Sequence, residues 1–307
     1  MPPDKGCREV SRIVCLGMAV RDLVFEVPTL PALPQKLTAS AMHLRGGGMA
    51  ATAAVTAAAL GASVEYWGRL GDDDIGRELR RDLQSRGVQV EALTVAGTRT
   101  PVAAVMVAGN GERMLAVFRG RLDDSTGWLP LDRIAAVQAV LADFRWLQGA
   151  QSLYNAAVGR RIARVLDADV GDPAALHALL PLVDHAIFSQ QGLADLVGTS
   201  DVEQGLRKAA AETAGVVAAT LGERGSMFLI DGTVHHIGAP VVKARDSNGA
   251  GDVFHGAYTF ALTLGRTVVD AARFASAAAA LKCLSGGGWE AVPDREAVND
   301  FMKGSKC

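Results

Sequence analysis

Aromatic side chains make up only 5% of the 307 residues, and basic residues barely differ in number from acidic ones. The net charge of −2 offers no basic field for a nucleic acid. No apolar run approaches the length of a membrane span. The most apolar candidate, Ala209 to Ala219, is broken by Glu212, Thr213 and Gly215 and reads as a soluble helix leading into a strand. Four cysteines, Cys7, Cys15, Cys283 and Cys307, form no Cys-x-x-Cys pair. That excludes a zinc ribbon or a thioredoxin-like redox motif and fits free thiols in a reducing cytoplasm. The segment from Met1 to Val10 is polar and charged and does not read as a signal peptide. The six histidines, His43, His177, His185, His235, His236 and His255, lack metal-ligand spacing. His235-His236 reads as a surface pair on a strand, and His255 as helix packing. No Gly-x-x-x-x-Gly-Lys-Ser/Thr loop occurs, so the chain is not a P-loop nucleotidase. No strand-linked Gly-x-Gly-x-x-Gly occurs, which argues against a Rossmann dehydrogenase.

What is present is an ample core. Hydrophobic residues reach 49% and charged residues 21%, as in soluble globular proteins. Abundant alanine and 34 glycines suit close packing of helices on a sheet. The length allows one large domain or two small ones. Without an internal repeat or a long linker, residues 1–307 read as a single domain.

Arg12 to Val27 reads as a buried strand followed by a second extended piece. Met49 to Leu60 is built of small and apolar residues and stops at Gly61, a helix with a glycine terminator. Ser63 to Trp67 reads as a short strand, Asp72-Asp73-Asp74 as a turn and Ile75 to Arg86 as an amphipathic helix. Val102 to Ala108 and Arg113 to Phe118 read as a hairpin across Gly109-Asn110-Gly111. Beyond Leu131, expected helices at 133–142 and 155–166 alternate with short strands at 186–188, 216–220 and 226–230. That alternation predicts an α/β fold: a mostly parallel sheet with helices on both faces, plus a small β lid from the early segments. Phe254 to Leu264 and Val268 to Leu284 read as long apolar helices.

The strongest chemical signal is Asp246-Ser247-Asn248-Gly249-Ala250-Gly251-Asp252, followed by Val253-Phe254-His255-Gly256. Glycines let backbone N–H groups approach an anion. The helix that follows offers free amides and a favourable dipole at its N-terminus. Asp252, in its first turn, can accept the proton of a substrate hydroxyl. Positioning, charge neutralisation and an oriented nucleophile are what phosphoryl transfer needs. A second signal is Gly46-Gly47-Gly48 before the small-residue helix. It suits a backbone approached by a polyol, and taken alone it serves equally as a strand-to-helix turn. Asp22 follows a buried strand and can accept two hydrogen bonds from vicinal hydroxyls, or be a solvated turn residue. Thr220-Leu221-Gly222-Glu223-Arg224-Gly225 follows a strand and can lie along a nucleotide, although a hairpin turn explains it as well.

Together these motifs resemble the ribokinase/PfkB family of carbohydrate kinases, from about Arg12 to Pro293. One family signature matches Gly47-Gly48-Met49-Ala50-Ala51-Thr52-Ala53-Ala54, followed by Leu60-Gly61 and Gly68-Arg69-Leu70-Gly71-Asp72-Asp73. The other matches Asp246 to Asp252. The resemblance implies a ribokinase-like fold with a β lid formed by segments around 20–45 and 100–120. It implies ATP with Mg²⁺, an alcohol group as acceptor and Asp252 as base. Gly249, Ala250 and Gly251 become an anion hole, and Asp22, Gly47 and Gly48, with Thr52, face the sugar. Thr220, Gly222, Gly225 and Asn248 lie along ATP. Asp246 and Ser247 border a monovalent-cation site for K⁺. A homodimer through the lid is also implied.

Three departures stand out. Thr52 replaces the usual Asn, and Ser247 the usual Thr. Where the family has Asn-x-x-Glu, which helps position Mg²⁺, this chain has Ser189-Gln190-Gln191-Gly192, with Asp167 or Asp169 as substitutes. The residues around Gly46–Val55, Leu141–Trp146, Asp184–Ser189 and Gly251–Ala257 resemble the sulfofructose kinase branch. That implies a sulfonated ketohexose, with Lys36 and Arg145 as candidates for its anionic end. A ribokinase, fructokinase or nucleoside kinase is the alternative, as is a sugar-binding protein on a kinase scaffold.

Overall fold

The computed structural model describes residues 10–109 and 112–304. In the first strand, β1 (Arg12–Gly17), Ile13 and Cys15 bury on one side, Val14 and Leu16 on the other. A strand apolar on both faces belongs in the middle of a sheet covered twice. β1 lies between β4 (Ser63–Gly71) and β8 (Ala139–Asp143), pairing in parallel with both. β5 (Val88–Val95) extends the sheet at one edge. Beyond β8 follow β9 (Ala163–Ala168), β10 (His185–Ser189) and β11 (Val216–Thr220), all parallel. β12 (Ser226–Ile230) and β13 (Thr233–Ile237) close the other edge in antiparallel pairing, which completes nine strands.

One face carries α1 (Met49–Ala59), α2 (Asp74–Ser85), α7 (Ala250–Thr263), α8 (Val268–Ser285) and α9 (Arg295–Gly304). The other carries α3 (Leu147–Ala157), α4 (Pro173–Leu179), α5 (Gln190–Val197) and α6 (Val202–Ala209). α1 and α7 pack backbone to backbone: a Cβ on Gly256 would lie 2.5 Å from Ala53 O. The expectation of an α/β fold with helices on both faces holds.

A second sheet of four strands has the order β3 (Ala41–Gly47), β2 (Val20–Val27), β6 (Val102–Ala108), β7 (Arg113–Phe118). β2 pairs antiparallel with β3 and parallel with β6, and β6 antiparallel with β7. Asn110 and Gly111, in the expected hairpin turn, lie outside the described residues, as do Cys7 and Cys307.

Two expected helices are corrected. Residues 133–142 form a 3₁₀ turn at Leu131–Ala136 and then β8, and residues 155–166 divide between the end of α3 and β9. The strands in them, β8 and β9, are short and mostly buried, and apolar periodicity does not separate such a run from a helix. β4 runs to Gly71, past the expected Trp67, and β5, not among the expected strands, carries the apolar-polar alternation Val88-Gln89-Val90-Glu91-Ala92. Asp73 is the N-cap of α2: its carboxylate accepts from the Gly76 amide, which is why the acidic turn starts a helix.

Candidate active site

The C-terminal ends of β1, β9, β10 and β11 open on one cavity of about 460 Å³, roofed by the inner face of the second sheet. Ligand sites form at such strand ends, where helix N-termini also gather. Asp143 ends β8, Asp167 lies near the end of β9, Ser189 ends β10 and Thr220 ends β11.

Gly249 caps α7 with φ 72°, a left-handed conformation that glycine adopts without strain. The turn leaves the first amides of α7 without helical acceptors, beside Asp252. The Asp252 carboxyl is raised to about 8, first by burial and then by the charge of Asp167. A carboxyl near that value is a competent base at neutral pH. Behind it, His255 Nδ1 lies 2.7 Å from Gly251 O and Nε2 3.1 Å from Ile187 O, so the ring ties α7 to β10. Burial lowers the His255 pKa.

Each residue opening the signature is held by a different strand of the second sheet. Arg45 of β3 donates to Asp246 Oδ2 at 2.9 Å, and Arg113 of β7 to Ser247 Oγ at 3.3 Å. Asn248 Nδ2 donates to Asp22 Oδ2 of β2 at 3.3 Å. Asp22 therefore sits within a strand, not after one as expected, and burial raises its carboxyl to about 6 against the pull of Asn248 and Arg45.

The three consecutive glycines make room for three different neighbours. A Cβ on Gly46 would strike the Trp289 ring at 2.3 Å, and one on Gly47 would meet Asp22 Oδ2 at 2.7 Å. Gly48 has φ 94°, and its Cβ would lie 2.4 Å from Met18 O. Thr52, where the family has Asn, turns its hydroxyl to accept from Trp289 Nε1 at 2.9 Å. The buried Asp143 accepts from the amides of Met18, Ala50 and Arg145, so one carboxylate pins β1, α1 and the β8–α3 loop together.

Arg145 lines the cavity as expected. Its Nη2 donates to Val170 O at 2.8 Å, while Nε and Nη1 are buried with no hydrogen-bond partner. Burial and the neighbouring charge of Arg119 lower its pKa. Lys36 does not join it: that side chain is exposed on the segment between β2 and β3, outside the cavity lining. The pattern of charges offered no way to place an irregular loop. Thr220 lines the cavity, but Gly222 and Gly225 lie on the adjoining turn, outside the lining.

The missing glutamate has a steric counterpart. A Cβ on Gly192 would lie 2.8 Å from Asp169 C and 3.0 Å from Ala168 O, so α5 meets the end of β9 where a side chain would start. Asp167 and Asp169 border the cavity there. Asp167 is buried, and its Oδ2 accepts no hydrogen bond. Burial and Asp169 raise its pKa well above the usual carboxylate range. Such oxygens are the donors a hard divalent cation takes. Among the described residues no cluster of three His, Cys, Asp or Glu is placed to hold a metal by itself. The pair therefore suits a Mg²⁺ that brings phosphate oxygens with it.

Sequence reasoning missed Trp289, Arg45, Arg113, Asp143 and Lys282. Trp289 and Lys282 carried a signal, since one follows Gly286-Gly287-Gly288 and the other is the one charge in the apolar stretch from Ala277 to Leu284.

Comparison with known proteins agrees with this architecture. The chain is 27% identical over 302 residues to a ribokinase of Haemophilus influenzae, covering 95% of this chain and 98% of that one. It superposes on a solved Agrobacterium tumefaciens protein with a TM-score of 0.91 at 31% identity, covering 96% and 98% of the two chains. An Arabidopsis thaliana ribokinase complexed with ribose and ATP shares the fold, with a TM-score of 0.81 at 24% identity over 96% and 99% of the chains. The family model described as pfkB family carbohydrate kinase matches residues 10–295, nearly all of the described structure, and the chain belongs to that family.

Proposed function

We propose that this protein transfers the γ-phosphoryl of ATP to a primary hydroxyl of a sugar. The observation that carries this reading is the convergence of Asp252, the backbone of Gly249 and Gly251, and Asp22 on one cavity, whereas Ala250 lies outside the lining and its amide donates to Ser247 O at 3.2 Å. Asp252 takes the hydroxyl proton as the oxygen attacks the γ-phosphorus in line. The bond from that phosphorus to its bridging oxygen breaks, ADP leaves, and the turn amides receive the charge of the transferring group. Asp22 and the backbone of Gly47 and Gly48 hold the sugar hydroxyls. Thr220 and Asn248, with the turn at Gly222 and Gly225, lie along the nucleotide. Asp167 and Asp169 are the residues that would hold Mg²⁺, which would supply charge neutralisation for the transferring phosphate.

The finer reading is a ketohexose derivative with an anionic end, such as 6-deoxy-6-sulfofructose. Its support is Arg145, which lines the cavity with Arg119 and carries two buried nitrogens without hydrogen-bond partners, its guanidinium stacked 4.4 Å from the Phe144 ring. Buried donors left unpaired are costly until an anion meets them. The inner wall at Leu115 and Val117 is apolar and contributes no such donor. The test is ATP consumption with fructose, ribose, fructose 6-phosphate, adenosine and sulfofructose. Turnover with sulfofructose far above the neutral sugars supports the reading. Arg145→Ala then weakens the anionic sugar roughly tenfold or more beyond any effect on a neutral one. Equal losses on both remove Arg145 from that role, and sugar-induced stabilisation without turnover removes the kinase.

We further propose a homodimer through the second sheet. Strand alternation puts Arg113, Leu115 and Val117 on its cavity face and leaves Met42, Leu44, Met114 and Phe118 outward, each at least 42% exposed. A second copy covers that face, and light scattering that finds only monomer at working concentration refutes it.

A further inference from the structure

Lys282 is 2% exposed, and among the described residues no other lysine is buried. It lies near the end of α8, in a run of alanine and leucine where a charge has no packing role. A buried ammonium persists only with partners. Its Nζ donates to Asp246 O at 3.1 Å and lies 3.9 Å from Asp246 Oδ1. The opposite carboxylate oxygen takes the Arg45 guanidinium at 2.9 Å, and Oδ1 accepts from the Asn248 amide at 2.8 Å.

The family resemblance places a monovalent cation beside Asp246 and Ser247. Such an ion binds by collecting carbonyl and carboxylate oxygens. Here the Asp246 carbonyl is committed to Lys282, and its two carboxylate oxygens to Arg45 and to a backbone amide. A further cation at Asp246 would meet two fixed positive charges at close range, with like-charge repulsion strengthened by partial burial. The residues present therefore do not fit K⁺ at this place.

We propose that the Lys282 ammonium, backed by Arg45, stands in for the monovalent cation, so that the 246–252 turn is held and its charge balanced without K⁺. An ammonium and K⁺ are close in size and equal in charge, and a tethered group is present at full occupancy. Lys282 acts through Asp246 on the amides that follow and is a positioning residue. The inference rests on the sugar-kinase reading for its catalytic consequence but not for its structural one.

The test compares KCl with tetramethylammonium chloride at equal ionic strength, in wild type and Lys282→Met. Two readouts are used: turnover with the sugar that the panel identifies, and the melting temperature without nucleotide or sugar. Wild type is expected to show the same melting temperature and the same turnover in both salts. Lys282→Met is expected to lose turnover roughly tenfold or more in tetramethylammonium. It should recover in K⁺ or NH₄⁺ but not in Li⁺, a size-selective rescue that a purely structural role would not produce. Strong activation or stabilisation of wild type by K⁺ overturns the inference, as does full activity of Lys282→Met without K⁺. If no sugar is phosphorylated, the kinase reading fails, and the wild-type melting comparison still decides the cation question. That comparison also decides it if the variant does not fold.

Discussion

Replacing Asp252 by Asn should make the free protein more stable while it destroys turnover. Burial first, and then the charge of Asp167, raise the Asp252 carboxyl from 3.8 to about 8 in the folded protein. Between those values the unfolded chain has released the proton and the folded chain still holds it. A folded-state pKa that is raised contributes stability below the unfolded value, and that contribution is lost as pH climbs toward 8. From 3.8 to pH 7 the loss accrues at about 1.36 kcal/mol per pH unit, an upper bound of about 4 kcal/mol. Residual solvent access at the cavity mouth reduces it. Asparagine cannot ionise and escapes the loss. Thermal unfolding at pH 7 should rise by roughly 5–10 °C, given about 2–4 °C per kcal/mol for a chain of this size. At pH 4 the variant and wild type should nearly coincide. Turnover should fall roughly 10²–10⁴-fold, the usual contribution of a general base. Equal melting temperatures at pH 7, or a gap that widens on acidification, would refute the burial argument. Near-normal turnover would remove Asp252 from the role of base.

Asp143→Ala strips the acceptor from three amides at once, and urea unfolding should show a loss of about 3–5 kcal/mol. A loss below about 1 kcal/mol would mean that water or a backbone shift replaces the carboxylate. Gly192→Glu, which restores the family's glutamate, should not raise turnover. It should cost roughly 1–3 kcal/mol, because its Cβ meets the end of β9. A more active and equally stable variant would show that α5 can shift away.

The 246–252 turn is legible in the sequence because its pattern is local: glycines, a helix start and a carboxylate within seven residues. The small-residue helix after Gly46–Gly48 was legible for the same reason. What escaped are partnerships across the chain. Arg45 meets Asp246 and Thr52 meets Trp289 from opposite ends of the sequence, and nothing in either neighbourhood announces the other. β8 and β9 were mistaken for helices because a strand buried on both faces has no polar alternation to betray it. Lys36 has the charge for an anionic sugar end and precedes the glycines in sequence, but the fold leaves it in solvent.

The glycine contact between α1 and α7 locks together two helices whose N-termini both open on the cavity. One begins at the glycines to which the proposed function assigns the sugar, the other at the turn to which it assigns the phosphoryl group. With Gly256 against Ala53 O there is no side chain between them to repack, so the spacing of the two ends is not adjustable by substitution. Divergence in such a protein is channelled elsewhere, into the strands of the second sheet and the strand-end loop that bears Arg145. A lineage of this fold can thus change what it phosphorylates while the machinery that phosphorylates is carried along unaltered.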